Sequence, residues 1–279
     1  MPNSVLSYEP LIRLSAFAGV FALMAAWELW APRRPQAIGR FRRWPSNLGL
    51  VVVDTLAVRL MVPMAAVGVA LLAEERGWGL FHQVSLPVWL EVVTAVVVLD
   101  LAIYGQHIAF HAVPLLWRLH RMHHADLEFD VTTGLRFHPI EVVLSMVIKI
   151  AVVVALGAPA LAVLIFEVLL NATSMFNHSN VRLPAKLEPV LRWFMVTPDM
   201  HRVHHSILRH ETDSNYGFNL PWWDRLFGTY RTAPKAGHDG MTLGIEAFRD
   251  PAELRLDRLL TQPLRNDGRS HTTLREMVL

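Results

Sequence analysis

The chain has 279 residues, of which 53% are hydrophobic and 18% are charged. This composition is too apolar for an ordinary soluble domain and excludes a disordered chain. The formal net charge of +2 gives no reason to expect a nucleic-acid partner, and the absence of cysteine excludes disulfides, iron–sulfur clusters and cysteine zinc sites. We therefore expect a single unit embedded in a lipid bilayer.

Five apolar stretches predict helices that cross the membrane. In chain order they cover residues 11–31, 48–72, 86–107, 140–156 and 160–176. The first is expected to be a retained anchor, since it is too long for a signal peptide and lacks a basic leader. The last two are separated by Gly157-Ala158-Pro159, which predicts a tight hairpin. The expected fold class is all-α: an integral-membrane helical bundle of about three spans plus a helical hairpin, with a cytoplasmic histidine-rich helical cap.

Arginines set the expected orientation, because short loops rich in Lys and Arg stay on the cytoplasmic side. The loop between the first two stretches carries Arg33, Arg34, Arg40, Arg42 and Arg43. Counting spans forward from this loop puts residues 112–139 and 177–279 on the same side. The histidine clusters described below are then all expected at the cytoplasmic end of the bundle.

Two charges lie inside the predicted hairpin. Lys149 and Glu167 are each nine residues from Ala158, so they sit at equal depth in an antiparallel pair of helices. A charge within the hydrocarbon is costly unless it is paired. We therefore predict a contact between Lys149 and Glu167; the alternative is a shallow hairpin in which both side chains reach water.

Histidine clustering is the main signal in the sequence. Eight of the 14 histidines fall in three short windows: His107 and His111; His120, His123 and His124; and His201, His204 and His205. Spacings of three and four residues place side chains on one face of a helix, within reach of one metal ion. The adjacent histidines in the second and third windows diverge by about 100°. One of each pair can thus serve one ion and the other a second, which favours a dinuclear site without naming the metal.

Other interpretations of the histidines fit less well. A solvated helical face would have to acquire this spacing three times by chance. A haem held by two axial histidines would use two or four of them and leave most without a role. A zinc protease needs a glutamate after the first histidine of the motif, whereas Arg121-Met122 and Arg202-Val203 stand there.

The ordered motifs resemble those of the sterol desaturase / fatty acid hydroxylase superfamily. They are His-x3-His from 107, His-x2-His-His from 120, His-Pro-x-Glu from 138, Asn-His from 177, His-x2-His-His from 201, Asn-Tyr-Gly from 215 and Trp-Asp-Arg-Leu-Phe-Gly-Thr from 223. The resemblance covers roughly residues 95–232. It implies a membrane-bound, non-haem di-iron oxygenase that hydroxylates or desaturates a lipid, such as a sterol, fatty acyl chain or carotenoid, with O2 as co-substrate.

The resemblance also implies a ligand set for two iron ions. Its members are His107, His111, His120, His123, His124, His201, His204 and His205, with His138 and His178 as two further candidates, and no catalytic residue is expected beyond the metal centre. Ligating imidazoles usually donate their other N–H to a carboxylate or carbonyl. We expect Asp100 and Glu141 to take this role, since each lies one to two turns from a motif histidine. Asp199, Asp213 and Asp224 are the other nearby carboxylates.

The aromatic residues after the last cluster allow two interpretations. Trp222, Trp223 and Phe227 are expected either at the membrane interface or as packing residues that dock the cap onto the bundle. Docking is favoured, because the segment mixes packing and polar residues with Asp224 as its one obvious chemical group.

These observations give an expected organisation of the chain. Residues 1–95 would form an N-terminal transmembrane region, 96–232 the catalytic domain, and 233–279 a cytoplasmic tail that is loose from about Arg265. The chain has no His-Pro-Gly-Gly cytochrome motif and no glycine run for a flavin or nicotinamide, so a separate electron donor (a reductase, ferredoxin or cytochrome) is expected. Only three of the 26 basic residues are Lys, which favours a bacterial source and an inner-membrane location. The alternative function is a metal-binding or haem-binding membrane protein without oxygenase activity.

Overall fold

The structure is a computed structural model that describes residues 5–266. Its longer helices are α1 (Glu9–Trp30), α2 (Arg40–Met61), α3 (Ala66–Arg76), α4 (Val88–Ala112), α5 (Pro114–His124), α6 (Pro139–Leu156) and α7 (Ala160–Asn177). The short helices are α8 (Glu188–Leu191), α9 (Pro198–His204), α10 (Arg209–Thr212), α11 (Trp222–Leu226), α12 (Gly237–Gly240) and α13 (Leu256–Thr261). Single 3₁₀ turns cover Leu80–His82, Thr133–Leu135, Pro251–Leu254 and Gln262–Leu264. The described residues contain no β-strand, so the all-α prediction is confirmed.

Five segments are long and apolar enough to cross a membrane: α1, the stretch Arg40–His82, α4, α6 and α7. Their number agrees with the sequence prediction, but the second segment differs in detail. The expected single helix over 48–72 is two helices, α2 and α3. The break falls at Pro63, which has no N–H to donate and holds Val62 in an extended conformation (φ −118°, ψ 95°).

The predicted hairpin between α6 and α7 is confirmed. Gly157 turns the chain with φ +66°, a left-handed conformation that glycine adopts without steric cost. Within the hairpin, Lys149 Nζ lies 2.6 Å from Glu167 Oε1, which is the contact that their equal depth predicts. Arg13 of α1 also pairs with Glu167, so two cations share one buried carboxylate.

Helix α4 is the central element of the bundle. It packs against α5, α6 and α7, while α1 lies on α7 and α2 lies on α6. At the end of α4, Val113 is extended and Pro114 occupies the first turn of α5, so the chain turns back beside the helix it has just left. This turn brings the histidines of α5 over those of α4.

The basic loop between α1 and α2 lies at the histidine end of the bundle, as predicted. Arg34 donates from its backbone N–H to Asn180 Oδ1 at 3.1 Å. Arg43, however, is a buried residue of α2 rather than a loop residue, and its guanidinium bonds Asp126 and Asp130 at 2.5 to 2.8 Å. The orientation of this end toward the cytoplasm stays a prediction.

The segment after residue 240 packs on the bundle over its described part. Pro263 O accepts from Arg118 Nε at 2.6 Å, and α13 contacts α2. Arg265, the expected start of a loose tail, pairs with Glu253, with Nη1 to Oε1 at 2.9 Å. The remainder of that predicted tail lies outside the described residues.

Candidate metal centre

Nine buried histidines form two groups at one end of the bundle. The first group contains His107, His111, His120, His124 and His204, and the second contains His123, His178, His201 and His205. Within each group, one ring nitrogen from every member lies within 4.8 Å of the others. Either group could hold a metal ion.

The adjacent histidines are divided between the two groups. On α5, His123 belongs to the second group and His124 to the first, and His204 and His205 at the end of α9 are split in the same way. The divergence of neighbouring side chains on a helix therefore places one member of each pair in each group, as the spacing predicts. His178 joins the second group from the residue directly after α7.

Backbone carbonyls fix the protonation of several rings. The Nδ1 atoms of His107, His204 and His178 lie 2.7, 2.7 and 2.8 Å from the carbonyl oxygens of Tyr216, Ser214 and Ser174. A carbonyl oxygen only accepts, and a neutral imidazole has one N–H. The proton is therefore on Nδ1 in these rings, and Nε2 presents its lone pair to the group.

Lone pairs face each other inside both groups. His120 Nδ1 is 2.7 Å from Glu141 Oε1 and His123 Nδ1 is 3.2 Å from Arg136 O, so these rings also present Nε2 as an acceptor. Yet His107 Nε2 lies 3.1 Å from His120 Nε2, and His123 Nε2 lies 3.1 Å from His178 Nε2.

Two acceptors at this distance repel unless a cation lies between them. A proton would supply positive charge but would leave a charged imidazole in a desolvated site. A metal ion satisfies all the lone pairs at once. Among the described residues, the buried Nε2 atoms of His204 and His205 have no hydrogen-bond partner, which fits the same assignment.

Burial keeps these imidazoles neutral. Desolvation, followed by repulsion from neighbouring imidazoles, lowers the pKa of His123, His124, His201 and His205 well below the ordinary 6.5. Burial likewise lowers the pKa of His204 to about 3. Because a metal binds the neutral ring, the site is in its ligating form at neutral pH.

Some carboxylates around the site contact imidazole rings, and others bind different parts of the protein. Glu141 accepts from His120, the contact expected of it, and Asp213 Oδ1 lies 3.3 Å from His111 Nδ1. Asp100 is placed differently from the expectation: it accepts from Trp223 Nε1 at 2.8 Å and from the backbone N–H of Leu220 at 3.2 Å. Seven residues of helix separate Asp100 from the first histidine of α4, about 10 Å along the axis, which puts it out of reach.

His138 lies outside both groups. Its Nδ1 accepts from Ile140 N at 3.2 Å and so caps the start of α6, while its Nε2 lies 3.2 Å from Leu260 O. Both ring nitrogens are thus occupied by backbone groups. We therefore leave His138 out of the ligand set proposed below.

A buried ionic network that the sequence analysis did not identify supports the second group. Asp126 and Asp130 follow α5 and bind Arg43, and Arg136 Nε donates to Met122 O at 2.9 Å. Burial opposes ionisation of Asp126, but Arg43 and Arg136 outweigh it and lower the pKa of Asp126 to about 2. The network holds the loop whose Arg136 carbonyl orients His123. Its only signal in the sequence is a pair of aspartates four residues apart after the second histidine motif.

A second support is the loop that carries Ser214 and Tyr216. Asp224 accepts from the backbone N–H groups of Tyr216 and Gly217 at 2.8 and 2.9 Å. Trp223 is buried against α4 through its bond to Asp100. The docking role predicted for this segment is therefore confirmed for Trp223, and it fixes the carbonyls that orient His107 and His204.

The fold and the site together define a helical protein with five membrane-length segments and two buried histidine groups that could hold metal ions. Residues 92–229 match the model of the fatty acid hydroxylase family, a range that contains all nine grouped histidines. The match confirms the resemblance that the histidine motifs predicted.

Several curated relatives share this region. The chain is 32% identical to ornithine lipid hydroxylase OlsE of Rhizobium tropici over 149 residues, which is 53% of this chain and 44% of that protein. It is 28% identical to alkylglycerol monooxygenase of Xenopus tropicalis over 205 residues (72% and 45%), and 25% identical to very-long-chain aldehyde decarbonylase GL1-4 of Oryza sativa subsp. indica over 184 residues (61% and 29%). The chain thus spans less than half the length of these relatives. No solved structure matches it significantly.

Proposed function

We propose that this protein is a membrane-bound, non-haem di-iron oxygenase that hydroxylates or desaturates a lipid, with O2 and with electrons from a separate donor. The observation that carries the proposal is the pair of buried histidine groups in which Nε2 atoms of neighbouring rings lie 3.1 Å apart, while Nδ1 of the same rings lies against a carbonyl or carboxylate oxygen. The relatives support a lipid substrate, since their names specify an ornithine lipid, an alkylglycerol and a very-long-chain aldehyde.

Each histidine group would hold one iron ion. The ligands would be the five histidines of the first group and the four of the second, an imidazole-rich set that suits iron. When bound, the iron pair would supply the activation of O2 and the oxidising power that no amino-acid side chain provides.

The surrounding side chains would orient the ligands and keep water out. Glu141 and the loop carbonyls hold the rings of both groups in one tautomer. Phe137 stacks on His123, with ring centroids 4.6 Å apart, and Phe218 lies 5.1 Å from His107. Both phenylalanines extend toward the apolar core between α4, α6 and α7, from which an alkyl chain would approach.

The active site would face the cytoplasm, most simply at the inner membrane of a bacterium. Arginines of the loop between α1 and α2 support this orientation, because the loop lies at the histidine end of the bundle. Electrons from a soluble or peripheral donor would then reach the site from the same side.

Two alternative functions are less well supported. A haem needs a free planar gap between its axial ligands, whereas the rings here contact one another, as in His178 and His201 with centroids 4.3 Å apart. A metal transporter places its ligands near the middle of the membrane. In this chain they lie at and beyond the ends of α4 and α7.

The proposal is tested by metal analysis and lipid analysis of the same protein. Gently solubilised wild type is expected to hold about two iron ions per chain, and cells that express it should contain an oxidised lipid that is absent without it. His120→Ala, which removes one ligand of the first group, should bind iron more weakly and produce no oxidised lipid, while His210→Ala, whose side chain is 57% exposed and outside both groups, should keep both properties. Folded protein without bound transition metal, or full lipid oxidation by His120→Ala, would contradict the proposal.

A further inference from the structure

A surface of exposed apolar side chains lies beside the metal site, outside the five membrane-length segments. We call it the aromatic shelf, and its members are Val190, Trp193, Phe194, Trp222, Leu226 and Phe227. Their exposed fractions run from 47% to 70%, although the same stretch buries Trp223. Soluble surfaces rarely expose so many large apolar residues together, so the shelf indicates an interaction surface.

The shelf is a fixed surface made from two segments. Trp222 Nε1 donates to Trp193 O at 2.7 Å, and Arg225 Nη2 donates to Arg192 O at 3.1 Å. The Arg225 guanidinium also lies 4.0 Å from the centre of the Trp193 ring. These bonds join the segment that contains α8 to the segment that contains α11. The apolar side chains of both segments remain exposed on the outer side.

Contact with α4 sets the level of the shelf relative to the membrane. Phe227 stacks on Tyr104 with ring centroids 5.5 Å apart, and the Tyr104 hydroxyl lies 2.8 Å from Thr229 Oγ1. Tyr104 is sixteen residues beyond Val88, where α4 begins, which is about 24 Å along the helix. A hydrocarbon core about 30 Å thick that starts near Val88 therefore ends beyond Tyr104. Phe227 therefore lies within about 6 Å of the level at which such a core would end and headgroups begin.

The composition of the shelf matches that environment. Tryptophan suits the boundary between hydrocarbon and headgroups, and tryptophan, phenylalanine and leucine are typical of the apolar face of segments that lie in this boundary. Arg182 and Lys186 are exposed just before α8, where they can reach lipid phosphates, and the carboxylate of Glu188 is paired with Arg192. We propose that the aromatic shelf is a membrane-insertion surface, which anchors the histidine-bearing cap in the headgroup region beside α4.

The absence of cysteine permits a direct test. Single cysteines placed as Phe194→Cys and Leu226→Cys would carry a nitroxide label in protein reconstituted into vesicles of phosphatidylcholine and phosphatidylglycerol. The measurement is the collision rate of each label with lipid-soluble O2 and with a water-soluble nickel complex. Leu60→Cys, on the exposed face of α2, is the reference for lipid, and Arg209→Cys and Asp239→Cys, whose native side chains are 60% and 74% exposed, are the references for water.

The ratio of O2 collisions to nickel collisions at positions 194 and 226 is expected to be several-fold higher than the ratio at the water references, 209 and 239. It should be close to the ratio at the lipid reference, position 60. A ratio at 194 and 226 equal to that at 209 would overturn the proposal and assign the shelf to a soluble protein partner. Two labelled positions on separate segments keep the test decisive if one variant does not fold.

Discussion

His204 and His205 are neighbours in the chain but belong to different histidine groups, so they provide a matched pair of perturbations. His205→Ala reduces the second group from four histidines to three, whereas His204→Ala reduces the first from five to four. If each group holds its own ion, the two variants should lose metal selectively, and from different sites.

The magnitude follows from the number of ligands that remain. Loss of a residue that only orients a ligand lowers metal affinity about 10 to 100-fold, which corresponds to about 1.4 to 2.7 kcal/mol. Loss of a ligand itself should lower the affinity by at least this much. Four imidazoles remain in the first group after His204→Ala, whereas only three remain in the second group after His205→Ala. We therefore expect the metal content of the His205→Ala variant to fall from about two ions per chain to about one at a chelator concentration at which the His204→Ala variant still holds both ions.

The assay is elemental analysis after dialysis against a graded series of chelator concentrations. His138→Ala is the control inside the same region, because its ring nitrogens bond backbone groups and it should retain both ions. Thermal unfolding of each variant verifies that it is folded. Simultaneous loss of both ions from both folded variants would refute the division into two groups, and unchanged metal content in both would refute the assignment of these histidines as ligands.

Three further predictions concern groups around the site and within the bundle. Glu141→Gln should lower metal affinity about 10 to 100-fold with little change in unfolding temperature, because it weakens the bond that orients one ligand ring; titration with iron measures this, and an unchanged affinity would contradict it. Glu167→Leu should destabilise the bundle more than Lys149→Leu in detergent unfolding, because it leaves the buried Lys149 without its partner, at a cost of about 3 to 5 kcal/mol, and also removes one of the two carboxylates that pair with Arg13, the other being Glu9; equal effects would argue against the shared pairing. The pKa of Asp126 is lowered from 3.8 to about 2 in the folded state, so its stabilising contribution of about 2 kcal/mol is present above pH 3.8 and is lost as the pH falls through 2. Unfolding measured between pH 6 and pH 3 should show a flatter dependence in Asp126→Asn than in wild type, and parallel curves would contradict the prediction.

The prediction that failed most clearly concerns Arg43. The basic stretch predicts a loop cation that sets orientation at this position, whereas Arg43 is buried in α2 and bound to two aspartates. The residues next to Arg43 in the sequence give no indication that its carboxylate partners lie more than eighty residues further along the chain. Such a partner becomes visible only when α2 packs beside the loop after α5.

Local features of the sequence determined the membrane segments and the histidine sites. The length of an apolar run and the three- and four-residue spacing of histidines are properties of a single helix, so they can be recognised without knowledge of its neighbours. For the same reason the spacing separated His123 from His124 and His204 from His205, because that divergence is fixed by the geometry of one helix. The equal depth of Lys149 and Glu167 likewise follows from one short turn.

Tertiary structure alone decided which candidates meet. His138 and His178 are equivalent in the sequence, yet packing brings His178 into the second group and leaves His138 as a helix cap. Asp100 and Glu141 were expected to act alike, yet only Glu141 contacts an imidazole, while Asp100 binds Trp223 of the cap. These outcomes depend on distances between helices and loops far apart in the chain. Such distances are set by the packing of the whole bundle, and no local pattern of residues encodes them.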